Sequence, residues 1–305
     1  MIFRLFLMIM AFGALWFASE MMIEVVLVLS KKLGLSAFVL SFLILGLVMS
    51  LPEITVGVNS LLLNQPEVFV GDELGSSIGI FLLVIPVLAI LGNGIVLTGK
   101  LLGEKLLLSL LVVLVPYVLI LDREINLFDS FVCVLSYFLL FFQIRGKKKI
   151  SRNKMEGWWW LKVVFGIMVV FLSGNILVEQ TKYFSDFLGI STFWVSFLLL
   201  SFGTSLPEFF VMIRSLVKGR KEVAFGGYVG SAAANTLILG VMSGLNGKLV
   251  LSDGIFVLMF IVFALGLLLT FFFIRSKDDI SRKEGVILLL LYLFLIFFKM
   301  VFLVG

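Results

Sequence analysis

The chain has 305 residues, 61% of them hydrophobic and only 14% charged, with a mean hydropathy of +1.21. Soluble domains have roughly a quarter of their residues charged, so a water-soluble enzyme is excluded and the bilayer sets the architecture. One cysteine, Cys133, and no histidine rule out disulfides, multi-cysteine metal sites, Ser/His dyads and H-E-x-x-H zinc chemistry. What remains is oxygen from carboxylate, hydroxyl, amide and backbone carbonyl, a donor set that suits hard cations such as sodium, calcium or magnesium.

Apolar runs long enough to cross about 30 Å of hydrocarbon are predicted over 5–29, 35–63, 67–96, 105–121 and 125–144. Five more follow over 157–178, 188–217, 223–246, 250–274 and 284–303. The first begins behind Arg4 like a signal peptide, but Phe17-Ala18-Ser19 is a poor cleavage site, so it is kept as a helix. The second carries Ser50-Leu51-Pro52-Glu53, and the third Gly71, Asp72, Gly75 and Ser76. A basic segment, 145–156, precedes Trp158-Trp159-Trp160, which reads as an interfacial anchor. The seventh span contains Gly203-Thr204-Ser205-Leu206-Pro207-Glu208, and the eighth Gly226, Gly227, Gly230, Ser231 and Asn235.

With the N-terminus outside, Lys and Arg concentrate in the inner loops. Only Arg4, Arg123, Lys182, Lys248 and Lys299 fall outside, and Lys162 lies within a span. The positive-inside rule therefore predicts a plasma-membrane protein with an outer N-terminus and a cytoplasmic 145–156 loop. The basic pI of 9.3 follows from this topology, and no nucleic-acid partner is needed to explain it.

The chain also repeats itself. Glu24 matches Glu179, Gly34 Gly189, Ser50–Glu53 Ser205–Glu208, Gly71 Gly226, and Gly75-Ser76 Gly230-Ser231, all on one offset without a gap. Five spans per half is an odd number, so the halves insert with opposite orientation. Inverted repeats with interrupted helices characterise secondary transporters, whose substrates bind near the midplane. The expected fold is an all-α membrane protein of ten transmembrane helices, arranged as two inverted five-helix repeats with Pro-broken helices 2 and 7. The halves are 1–144 and 157–305, with repeats at about 36–96 and 191–246.

Glu53 and Glu208 lie deep in apolar spans, where a carboxylate costs roughly 2.5–3.5 kcal/mol or more unless it meets a cation, a proton or a buried partner. Pro52 cannot donate to the carbonyl of Val48, nor Pro207 to that of Gly203. Backbone oxygens of Val48, Met49 and Gly203 thus join the hydroxyls of Ser50, Thr204 and Ser205 beside the two acids, an oxygen shell fit for a hard cation. Ser76 and Ser231 can ligate an ion or bond back to their own helices. The glycines around them allow close helix packing.

The stretch Gly203–Glu208 followed by Gly230-Ser231-Ala232-Ala233-Ala234-Asn235 resembles the second alpha-repeat of the sodium/calcium exchanger family, and Val48–Glu53 with Gly75–Ile80 resembles the first. The resemblance implies an alternating-access antiporter carrying sodium and calcium without a cofactor. Glu53 and Glu208 would be the shared metal ligands. Ser50, Ser76, Thr204, Ser205 and Ser231 would flank them, with Asn235 at the centre. Val48-Met49 in place of Gly-Thr, Asp72 in place of Asn and Ile80 in place of Asn or Asp depart from the family pattern and bear on ion choice. Asp72 is expected as a replacement ligand nearer the outer mouth, or else as a hydrated helix cap there. Proton or other-cation exchange, and a transport-deficient sensor or scaffold, stay open on the sequence alone, as does the oligomeric state.

Overall fold

The computed structural model describes residues 2–32, 42, 46–92, 94–96, 104–144, 159–206, 209, 221–251, 255–277 and 279–302. Helix α1 spans Ile2–Lys32. Helices α2 (Gly46–Met49) and α3 (Leu51–Leu62) meet at Ser50, which leaves helical geometry at φ −83° and ψ 13°. Pro52 sits in the first turn of α3, where a missing N–H costs least. A tight turn through Asn64, at φ 54° in the left-handed region that asparagine tolerates, reverses the chain. Helix α4 (Pro66–Gly79) then continues through a π-turn, Ile80–Val84, into α5 (Ile85–Leu91). Strand β1 (Ile95–Val96), α6 (Glu104–Leu119), β2 (Glu124–Ile125) and α7 (Leu127–Ile144) follow.

After the basic segment 145–156 in sequence come α8 (Trp159–Leu188), α9 (Thr192–Val195), a π-turn at Ser196–Leu200 and α10 (Ser201–Thr204). Helix α11 (Lys221–Asn246), β3 (Leu249–Val250), α12 (Phe256–Lys277), β4 (Asp279–Ile280) and α13 (Arg282–Phe302) complete the described chain.

Among the described residues, seven helices are long and apolar enough to span a membrane: Pro66–Leu91, Glu104–Asp122, Leu127–Ile144, Val164–Leu188, Gly226–Asn246, Phe256–Lys277 and Arg282–Val301. Ile2–Ala18 and Thr192–Thr204 are shorter apolar helices. The protein is therefore an all-helical integral membrane protein. Phe131, Phe142, Leu290 and Phe297 stand exposed on α7 and α13, as a surface in contact with acyl chains requires.

Some boundaries differ from the sequence expectation. The span predicted from 250 begins at Phe256, because Leu249 and Val250 are taken up in a strand pair. The helix predicted over 157–178 continues to Leu188. Its polar C-terminal residues are satisfied internally: Thr181 Oγ1 donates to the Leu177 carbonyl at 2.8 Å, and Ser185 Oγ to that of Ile190 at 2.7 Å. The third span stops at Leu91 and not 96, because Ile95 and Val96 pair antiparallel with Ile280 and Asp279. Glu124 and Ile125 pair with Val250 and Leu249 in the same manner.

The Pro66–Leu91 and Gly226–Asn246 spans are the most enclosed, 72% and 78% buried, so α4 and α11 form the centre of the molecule. Their close packing explains two glycines. A Cβ on Gly75 of α4 would run into the Phe197 carbonyl and the Ser201 side chain, and one on Gly230 of α11 would run into the Phe42 carbonyl. Gly75 and Gly230 are repeat-equivalent, as are Phe42 and Phe197. Each glycine thus receives the backbone of the opposite half.

Candidate cation-binding site

Glu53 lies in the first turn of α3, just past the interruption at Ser50, and is 1% exposed. Its Oε1 accepts a long hydrogen bond from Ser76 Oγ of α4 at 3.5 Å, while Oε2 has no partner among the described residues. Asp72 on α4 is fully buried; its Oδ1 accepts from Thr204 Oγ1 of α10 at 2.9 Å, and Oδ2 has no partner among the described residues. The two carboxyl groups are close enough to act on one another electrostatically. Two acids enclosed in one apolar bundle, each with an oxygen unsatisfied, leave a demand for positive charge or protons.

Beside them is a neutral network. Ser50 Oγ lies 3.0 Å from Ser231 Oγ of α11, 3.2 Å from Asn235 Oδ1 and 3.1 Å from its own Gly46 carbonyl. One hydroxyl proton cannot serve all of these acceptors at once, so Ser50 retains lone-pair capacity. Asn235 Nδ2 in turn points to Ser77 Oγ at 3.5 Å. Ser205 is buried at the end of α10, its Oγ without a partner among the described residues. It lines an apolar cavity of about 220 Å³ with Gly75, Gly79, Phe202 and Tyr292.

The structure thus gathers Glu53, Asp72, Ser76 and Thr204 at one locus, and Ser50, Ser231 and Asn235 at an adjoining one. Val48 and Met49 fall at the end of α2, and Gly203 in α10 against the Phe12 ring. Pro207 and Glu208 lie outside the described residues. Among the described residues no three acidic, cysteine or histidine side chains converge, so oxygen there comes from the two acids, hydroxyls and an amide.

One alternative is corrected: Asp72 is not a hydrated helix cap, since its side chain is fully buried. Helix α4 folds back on α3 after a short turn, which brings Asp72 down beside Glu53, and Thr204 of the other half reaches across to it. Ile80, by contrast, is buried in the apolar core, as its side chain dictates. Three polar residues escaped the sequence reading. Ser77 touches Asn235; Tyr117 donates to the Leu74 carbonyl at 2.6 Å; and Glu73, 2% exposed, acts electrostatically on Tyr117. The Asp72-Glu73 doublet inside an apolar run was the available signal for Glu73.

A sodium/calcium exchanger protein family model matches residues 3–144 and 158–301. The chain belongs to the sodium/calcium exchanger family. The family is one of cation exchangers, so the protein is a membrane cation antiporter. The inner membrane protein YrbG of Escherichia coli is 24% identical over 242 residues, 73% of this chain and 74% of that one. The sodium/calcium exchanger MaX1 of Methanosarcina acetivorans is 29% identical over 131 residues, 43% of this chain and 37% of that one. The fold is that of the sodium-calcium exchanger NCX_Mj in a structure soaked with Na+ and Sr2+. The TM-score is 0.70 at 22% identity, over 96% of this chain and 97% of the other.

Proposed function

We propose that this exchanger moves calcium against sodium by alternating access, holding its ions at mid-membrane between two inverted five-helix halves joined by the 145–156 loop. One observation carries the reading: Glu53 and Asp72, from adjacent helices of one half, are buried together with an unsatisfied oxygen each, and Thr204 of the other half donates to Asp72. Cargo cations supply the missing positive charge. Glu53, Asp72 and Glu208 act as charged ligands. Ser50, Ser76, Thr204, Ser205, Ser231 and Asn235 add neutral oxygens, and the carbonyls of Val48, Met49 and Gly203 complete the shell.

The reciprocal packing of Gly75 on Phe197 and Gly230 on Phe42 supports the inverted arrangement, since each half offers the other the same contact. The crossed strand pairs, β1 with β4 and β2 with β3, support it equally. The concentration of Lys and Arg in alternate loops supports an outer N-terminus. The pairing of sodium with calcium rests on the relatives MaX1 and NCX_Mj, both described as sodium/calcium exchangers. Radioactive calcium uptake into proteoliposomes, with and without an outward sodium gradient, tests this pairing. Uptake driven equally well by an outward proton or potassium gradient would redirect the assignment to another coupling ion.

A further inference from the structure

A second feature lies away from the buried acids, where α6 ends. The chain leaves this helix through a 3-10 turn, Ile120–Asp122, and Arg123 then takes the left-handed conformation at φ 67°, which a long side chain seldom adopts. The conformation is fixed from outside. The Arg123 carbonyl accepts from the Leu251 N–H at 2.9 Å, and the next two residues, Glu124 and Ile125, pair with Val250 and Leu249. The guanidinium is therefore mounted on a clamped segment at the end of a membrane span.

Among the described residues its charge is not consumed there. Neighbouring Glu124 is bound to Lys248 at 2.7 Å, and the Asp122 carboxylate accepts from the Glu124 N–H. Among the described residues no carboxylate lies within ion-pair distance of Arg123. Arg123 instead borders a cavity of about 370 Å³ whose other walls are apolar: Leu121, Ile255, Phe256, Val257, Leu258 and Ile261. Val257 and Ile261 are 59% and 53% exposed and one turn apart on α12, so an apolar ridge runs from the guanidinium down the membrane face of that helix. The first turn of α12, with backbone N–H groups left over by the helix, opens at the same end.

We propose that this cleft binds one glycerophospholipid. The headgroup phosphate pairs with the Arg123 guanidinium, and an acyl chain lies along Val257 and Ile261. The chemistry of the walls selects this occupant. A guanidinium presents paired N–H donors matched to a phosphate's oxygens, while the ridge below it offers only hydrocarbon. A free phosphate would use the first feature and not the second. The depth matches as well, since the charge stands at a span end and the ridge within the span. The site is independent of the cation-binding residues.

Native mass spectrometry of the purified full chain, titrated with phosphatidylglycerol, tests the site. Arg123→Asn removes the charge, and asparagine accepts the left-handed backbone. It should weaken phosphatidylglycerol binding about fivefold, the factor for one basic residue near an anionic surface, whereas Lys277→Gln at the far end of α12 should not. Ile261→Trp should reduce binding by blocking the cleft even with Arg123 intact. Phosphatidylcholine, which keeps the phosphate, should still bind more weakly through the same two residues, and glycerol phosphate without chains should not bind measurably. Equal phosphatidylglycerol affinity in wild type, Arg123→Asn and Ile261→Trp would overturn the site. Glycerol phosphate binding as tight as the lipid would reduce it to a bare anion site and overturn the acyl-chain half.

Discussion

Thr204 Oγ1 stands 2.9 Å from Asp72 Oδ1, a hydrogen bond across 132 positions of sequence that ties the C-terminal half to a buried acid of the N-terminal half. The same hydroxyl also contacts the Leu200 and Ser201 carbonyls at 3.3 and 3.1 Å. Its proton is thus contested between helix and carboxylate. A cation at Asp72 would shift that contest toward the helix, coupling occupancy to how closely α10 approaches α4.

Asp72→Asn should therefore weaken apparent cation affinity well beyond Asp122→Asn, whose carboxylate is exposed at the end of α6. The expected loss is about a hundredfold or more, because removing one partner of a buried charge pair costs on the order of 3–5 kcal/mol. Concentration dependence of exchange in proteoliposomes measures it. Identical curves for the two variants would remove Asp72 from the site.

Thr204→Val keeps shape and deletes the donor. Leaving a buried acceptor without its hydrogen bond costs about 1–3 kcal/mol, so affinity should fall while the protein still elutes as a folded species. Thr204→Ser should recover most of the loss. Failure of serine to rescue would assign the effect to packing.

Ser50→Ala should perturb both Ser231 and Asn235, which lie 3.0 and 3.2 Å from the same hydroxyl. A double-mutant cycle with Asn235→Ala should show a coupling of roughly 0.5–3 kcal/mol, as for residues sharing one network. Additive effects would mean that the two side chains act separately.

Gly75→Val places branched bulk against the Phe197 carbonyl and the Ser201 side chain. Overpacking of this kind typically costs 1–3 kcal/mol, so the melting temperature in detergent should drop. Gly79→Val, where a Cβ meets open space, should be tolerated far better. Equal loss at both positions would contradict the close-approach account.

Cysteines introduced at Asn64 and Lys218 should label from opposite faces of the membrane, with buried Cys133 giving little background. Labelling of both from one face would remove the inverted arrangement.

Much of this architecture was legible because a few residue types are rare in lipid-facing helices. Proline, glutamate and serine at repeat-equivalent positions mark Ser50, Glu53, Ser76 and Ser231 in the sequence, and the structure pairs Ser76 with Glu53 and Ser231 with Ser50. Helical spacing placed Asp72 two turns from Ile80 but could not place it against Thr204, since that contact depends on how the halves cross. The same blindness hid Ser77, which matters through Asn235 of α11. The short strand pairs were invisible for a related reason: two-residue segments such as Ile95–Val96 carry no periodicity, and their partners lie far along the chain.

The central claim is that the buried Glu53 carboxylate neutralises a dehydrated cargo cation. Sodium-gradient-driven calcium uptake by wild type and Glu53→Gln, reconstituted at equal density and checked for the same elution profile, tests it most directly. The account predicts loss of gradient-driven uptake by about a hundredfold, since an amide retains the shape without the charge and a cost on the order of 3 kcal/mol suffices. Wild-type uptake by Glu53→Gln would contradict it.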